Sequence, residues 1–136
     1  MQILSSIGGP NREAKQRKQP IVWFEIPVSN LEQAREFYGG LFGWEFEPFV
    51  NYDENYLLIR GAEESVGGAL VLENNLQTCG RGPVLFVAVE DLEGTLGQVL
   101  HRGGTIAQGA KLITVSAGRF AVVHDPDGNR IGLWTK

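Results

Sequence analysis

The sequence predicts an α+β domain of two tandem β-α-β-β-β modules whose sheets curve into one pseudo-symmetric cup. Three observations carry this reading. An apolar strand pattern that runs straight into a helix start occurs twice, at Trp23–Val28 before Ser29-Asn30-Leu31-Glu32 and at Val84–Val89 before Glu90-Asp91-Leu92. The two occurrences superpose at an offset of 61 residues, and the same offset pairs Gly43-Trp44 with Gly104-Thr105. Each helix pattern is followed by three short strand patterns, and two copies of one unit make a paired domain, since a solenoid needs more and shorter repeats.

The first strand is apolar except for Glu25. Ser29 and Glu32 have the spacing of a capping box, which predicts a helix start at Ser29. Leu31, Ala34, Phe37, Tyr38, Leu41 and Phe42 then recur at helical spacing and form one apolar stripe ending at Gly43. Strands are predicted over Trp44–Phe49, Tyr56–Arg60 and Val66–Leu72, separated by Asn51-Tyr52-Asp53-Glu54-Asn55 and by Glu63-Glu64-Ser65. Residues 74–83 form a polar linker between a first module over about 20–73 and a second over about 84–136. The second helix places Leu92, Leu96, Val99 and Leu100 on one face, weakened by Gly94 and Gly97, each worth about 1 kcal/mol against Ala. Strands over Thr105–Ile113, Arg119–His124 and Arg130–Thr135 complete the chain. Asp125-Pro126-Asp127-Gly128-Asn129 makes the last turn.

Length and composition restrict the function. A chain of 136 residues with 43% hydrophobic and 21% charged residues suits one soluble domain able to bury roughly two-thirds of its unfolded surface. The longest apolar stretch, Val84–Val89, falls far short of the ~20 residues a membrane helix needs. Residues 1–9 have neither a basic start nor a sustained apolar segment and do not read as a secretory signal. The single cysteine, Cys79, closes no internal disulfide, which suits a reducing, cytoplasmic setting. Of the net charge of -4, the first 20 residues contribute +3 through Arg12, Lys15, Arg17 and Lys18 against Glu13, and residues 1–19 read as a flexible basic arm. The acidic body disfavours nucleic acid as a partner.

The stretches FEIPVSNLEQAREFYGGLFGW and GRFAVVHDPDGNRIGLW, in that order and separated by the duplication, resemble the vicinal oxygen chelate superfamily. That superfamily contains glyoxalase I, bleomycin-resistance proteins and extradiol dioxygenases. The similarity covers residues 20–136 and is greatest to small proteins related to lactoylglutathione lyase. It implies the glyoxalase/bleomycin resistance fold and a homodimer. It also implies metal ligands at the opening strand and the last strand of each module. The residues at those places are Trp23, Val84 and Gly132, and Val66–Leu72 contains no His, Asp, Glu or Cys. Indole, isopropyl and hydrogen offer no lone pair to a divalent metal. An unusual site would have to draw on Glu25, His124 and Cys79. No metal or other cofactor is expected.

Strand alternation puts Trp23 and Glu25 on one face of the first strand, opposite Phe24, Ile26 and Val28. The all-apolar face should pack on the helix, leaving Trp23 and Glu25 in the cup. The offset adds Val84 and Phe86 from the other module. Aromatic faces beside a carboxylate suit a flat, partly cationic organic guest. Trp23, Glu25, Tyr56, Phe86, Gly132 and Trp134 are therefore the expected ligand-binding residues, with Gly132 making room beside Trp134. Glu25 is the one candidate catalytic group, or else a structural partner of Arg60, Arg119 or Arg130. His124 stands beside Asp125, whose carboxylate is better used on the backbone of its own turn. His101 points to solvent, and Cys79 has nothing to lower its pKa. The expected function is metal-free binding of a small organic molecule. The alternatives are a lyase or isomerase of glyoxalase type with a non-standard site, or a fold serving dimerisation and partner regulation.

Overall fold

The computed structural model describes residues 18–78 and 82–136. Cys79, Arg81 and most of the basic arm lie outside them. The order is β1 (Trp23–Val28), α1 (Leu31–Phe42), β2 (Glu45–Pro48), β3 (Tyr56–Arg60), β4 (Gly67–Leu72), β5 (Leu85–Ala88), α2 (Leu92–His101), β6 (Thr105–Thr114), β7 (Gly118–His124) and β8 (Arg130–Thr135). The strands form two four-stranded sheets, ordered β1-β4-β3-β2 and β5-β8-β7-β6. In each sheet the first strand runs parallel to the last, and the other pairs are antiparallel. The duplication is thus topological as well as sequential. No strand of one sheet hydrogen-bonds to the other, so strand pairing within the chain does not close the eight strands into one cup.

The helix-bearing faces of both sheets share a single core. Ile26, Val28, Leu57, Ile59 and Leu70 of the first sheet join Ala121, Val123, Ile131 and Leu133 of the second around Phe37, Tyr38, Leu92 and Val99 of the helices. Fully burying each large apolar side chain is worth about 1.5–3 kcal/mol, which is why the apolar stripe of α1 turns inward. The stripe of α2 is narrower than its sequence predicts. Leu92 and Val99 are buried, whereas Leu100 is 56% exposed, because it lies a further 100° around the helix from Val99, beyond the reach of the core.

Helix ends correct two sequence expectations. Asn30, not Ser29, caps α1, its side chain accepting from the Gln33 amide at 2.9 Å. Ser29 is drawn off by the other module, giving both its amide and its hydroxyl to the Asp127 carboxylate. Asp91 caps α2 equivalently, 61 residues on. At the C-terminal ends the match slips by one. Gly43 (φ 73°) has its conformational counterpart in Gly103 (φ 93°), and Gly104 serves packing instead, since a Cβ there would lie 2.6 Å from the His124 carbonyl oxygen.

A polar joint locks the modules together. The Tyr38 hydroxyl donates to Asp125 at 2.6 Å, and the same carboxylate accepts from the Asp127 and Asn129 amides and from the Asn129 side chain. Asn129 also donates to the Pro27 carbonyl of β1. The turn is therefore used as the sequence predicts for Asp125, but its reach into the first module is a tertiary fact. Nearby, the Arg102 guanidinium crosses onto α1, bonding Glu36 and occupying the space that a side chain at Gly40 would need.

Candidate functional site

Alternation places Trp23 and Glu25 on the face of β1 turned away from the shared core. Both are exposed, while Ile26 and Val28 are buried. Tyr56 opens β3 on the same face, because β4 between them keeps all three strands in register through the pairs Glu25 with Ala69 and Tyr56 with Val71. The three side chains form one hydrogen-bonded line. The Trp23 indole N–H donates to Tyr56 Oη at 2.8 Å, and Tyr56 donates in turn to Glu25 Oε2 at 2.8 Å. The Tyr56 phenol is raised above its ordinary value by desolvation foremost. The bond from Trp23 lowers it, and the bond to Glu25 and that carboxylate's charge raise it further. Tyr56 therefore stays a donor throughout the physiological range.

The structural reading of Glu25 as an arginine's partner is not met by any of its three candidates. Arg60 pairs with Glu47 at 3.2 Å, Arg119 with Glu93, and Arg130 donates to the Gly82 carbonyl at 2.8 Å. The Arg119 bond holds the Glu93 carboxyl below the ordinary carboxylate range. Beside Tyr56 stand Phe49 and Tyr52, with Phe49–Tyr52 and Tyr52–Tyr56 ring centroids 4.9 and 5.2 Å apart. Tyr52 is 65% exposed and Trp23 44%. The sequence places Tyr52 in the turn between two strands and gives Phe49 no role beyond its strand, although an aromatic two positions before a turn of otherwise polar residues is a signal for both.

Phe86, Gly132 and Trp134 form a second group, on the corresponding face of the second sheet. Phe86 pairs across the parallel ladder with Gly132, and its ring fills the space a Cβ at Gly132 would take. Gly132 thus makes room for Phe86, not for Trp134. Trp23 and Gly67 repeat this relation in the first sheet. The Trp134 indole donates to the Ala117 carbonyl at 2.8 Å, which spends its only polar hydrogen. Phe86 is 54% exposed and lies 6.2 Å, ring to ring, from Phe120.

Two cavities lie along the seam of the modules, and neither holds all six expected residues. One of about 1030 Å³ is lined by Trp44, Arg60, Glu64, Phe86, Glu90 and neighbouring residues. The other, about 440 Å³, is lined by Glu25, Phe24, Leu85, Thr78, Arg130 and their neighbours. The chain brings Trp23, Tyr56 and Glu25 together, and separately Phe86, Gly132 and Trp134.

The positions that would bear a metal in this kind of fold do not fit one. The Trp23 indole is a donor only, the place of a carboxylate at 132 is filled by the Phe86 ring, and β4 reads Gly-Gly-Ala-Leu-Val-Leu. Among the described residues, no three His, Cys, Asp or Glu side chains gather as a metal cluster. Among the described residues, the one hydrogen-bond partner of the His124 ring is the Thr105 hydroxyl, at 3.4 Å.

Comparison with known proteins gives a consistent picture. Residues 20–60 match a family model described as bleomycin resistance protein-like, N-terminal. Over 116 residues the chain is 27% identical to CFP32 of Mycobacterium tuberculosis, named a candidate glyoxylase, covering 82% of this chain and 44% of that protein. The chain thus spans under half the length of that relative. TnmS3 of Streptomyces sp. CB03234, described as an antibiotic binding protein, is 26% identical with a TM-score of 0.60, over 89% of this chain and 98% of that one. A member of the glyoxalase/bleomycin resistance protein/dioxygenase superfamily from Sphaerobacter thermophilus shares the fold at 21% identity. Its TM-score is 0.64, over 88% of this chain and 98% of that one.

Proposed function

The chain belongs to the glyoxalase/bleomycin resistance/dioxygenase superfamily, and from that premise we propose that it is a metal-free binder of a small organic molecule, aromatic or cationic, held on the outer face of the first sheet. The observation that carries this is the line Trp23–Tyr56–Glu25. It puts an indole where the superfamily's metal ligand would stand and fixes a carboxylate beside it, with no arginine paired to it among the described residues. Exposed aromatic rings and a carboxylate attract planar and cationic guests through apolar burial and cation–π contact. The antibiotic-binding relative supports a binding role over a catalytic one.

We also propose a homodimer in which a second copy sets Phe86 and Trp134 opposite Trp23 and Glu25, completing a cup that one chain leaves open. The exposed Trp23 and Phe86 and the edge strand β6, exposed along all ten residues, are the apolar and hydrogen-bonding surfaces that such pairing would cover. A cytoplasmic setting suits the single cysteine.

The test is a titration of untagged protein with planar aromatic molecules, followed by tryptophan fluorescence and thermal shift, alongside measurement of its metal content. Saturable binding without bound metal is expected. Stoichiometric Ni, Zn, Fe or Mn would overturn the metal-free reading, and a scattering mass of 14.9 kDa at micromolar concentration would overturn the dimer.

A further inference from the structure

The direction of the hydrogen bonds on the first sheet's outer face says more than their presence. Tryptophan has one polar hydrogen and no acceptor, a tyrosine hydroxyl has one hydrogen, and a carboxylate accepts only. The indole hydrogen is spent on Tyr56 and the phenol hydrogen on Glu25, each at 2.8 Å. Every proton of the line therefore points inward, toward the carboxylate. What remains for a guest is lone pairs, chiefly those of Glu25 Oε1.

The rest of the face agrees. The ladder neighbours of Glu25 across the sheet are Ala69 and then Leu58, neither with a side-chain donor. Among the described strand residues of this face, Glu25, Glu45 and Glu47 stand against Arg60 alone, and Arg60 is held by Glu47 at 3.2 Å. Of the donors that share the smaller cavity with Glu25, Thr78 gives its hydroxyl hydrogen to the Asp127 carbonyl and Arg130 donates to the Gly82 carbonyl, each at 2.8 Å. The exposed rings of Trp23, Phe49 and Tyr52 add negative π faces.

Resting on the ligand-binding reading above, we infer that Tyr56 is a specificity-determining residue. By consuming the indole hydrogen and giving its own to Glu25, it makes the site accept hydrogen bonds only. The guest is then an organic cation that carries N–H donors on a planar body, an amidinium or a protonated amine, and uncharged or anionic molecules of the same shape are refused. Discrimination of this kind is strong because a guest's carbonyl or carboxylate oxygen would be desolvated against oxygen lone pairs with no donor to meet it.

Four small probes of nearly one shape test this on the full chain: benzamidinium, benzamide, benzoate and phenyltrimethylammonium. Binding is read from the indole N–H resonance of Trp23 in proton–nitrogen spectra, with its assignment fixed by Trp23→Phe. Benzamidinium should bind about tenfold or more tighter than benzamide, as expected for a hydrogen bond to a charged group. It should exceed phenyltrimethylammonium, which has charge but no N–H, by a similar factor, and benzoate should not bind. Tyr56→Phe should narrow the preference for benzamidinium over benzamide by raising the affinity for benzamide, because the freed indole N–H can then meet a carbonyl oxygen. A residue that merely supported the fold would lower all affinities together. If no probe shifts the Trp23 resonance, the ligand-binding reading of this face falls, and this inference with it. If the probes bind without preference, or Tyr56→Phe leaves the preference unchanged, the ligand site stands and the role of Tyr56 is overturned.

Discussion

Replacing Tyr38 by Phe removes one hydroxyl from the joint between the modules and nothing else. The Tyr38 ring is fully buried, stacked on Trp44 at 5.6 Å and set edge-on to Phe37 at 5.0 Å, contacts that phenylalanine keeps. The lost bond is the 2.6 Å one to Asp125, a carboxylate only 3% exposed. Three donors remain to it: the amides of Asp127 and Asn129 and the side chain of Asn129. A hydrogen bond to a charged group contributes about 1.5–3 kcal/mol, and the three remaining donors keep the loss within that range. Urea unfolding followed by tryptophan fluorescence measures it. The pH dependence supplies a second signature. Burial, then the charge of Asp125 and the bond to it, then the charge of Asp127, push the Tyr38 phenol well above its ordinary 10.0. A folded-state value above the unfolded one means that this stabilisation is complete below pH 10. It is lost above pH 10, as the unfolded chain's tyrosine ionises while the folded one does not, by up to about 1.4 kcal/mol per pH unit. The stability gap between wild type and Tyr38→Phe should therefore be flat from pH 6 to 9 and shrink above 10. A loss under about 0.5 kcal/mol, or a gap unchanged at pH 11, would refute the hydrogen-bonded joint.

Glu25→Gln should change stability by no more than roughly 1 kcal/mol, since the residue is exposed and the amide oxygen can still accept from Tyr56, while binding of any cationic guest is lost; a loss of several kcal/mol in a urea melt would mean a buried cation depends on it. Gly104→Ala would press a methyl against the His124 carbonyl at 2.6 Å and Val99 at 2.8 Å, and thermal or urea melts should show a cost of about 1–3 kcal/mol. Gly132→Glu, which puts a carboxylate where the sequence resemblance implies a metal ligand, should cost a similar amount by displacing the Phe86 ring and bind no metal, since Trp23 and Val84 offer it no further ligand; a stable variant with stoichiometric metal would refute this.

Much of the fold was legible in the sequence because its signals are local. Strand-to-helix patterns, the 61-residue offset and the apolar stripe of α1 located both modules, and β3 and β8 fall on their predicted bounds. Period-two alternation alone put Trp23 and Glu25 on the face of β1 opposite the helix-packed one, and the lack of lone pairs at Trp23, Val84 and Gly132 is a property of residue type that no folding alters. Tertiary structure decided what each group meets. Periodicity says which face of α2 is apolar but not how far the core extends beneath it, so Leu100 was predicted inward and lies in solvent. Ser29 has the spacing of a cap, yet a carboxylate 98 residues away competes for it and Asn30 takes the role. Glu25 had three arginines as candidate partners and bonds a tyrosine, while each arginine meets another acceptor: Glu47, Glu93 and the Gly82 carbonyl. Whether two outer faces line one cup depends on how the sheets are oriented about their shared core. That orientation is fixed by contacts such as Tyr38 to Asp125, between residues 87 positions apart, and no local pattern encodes it.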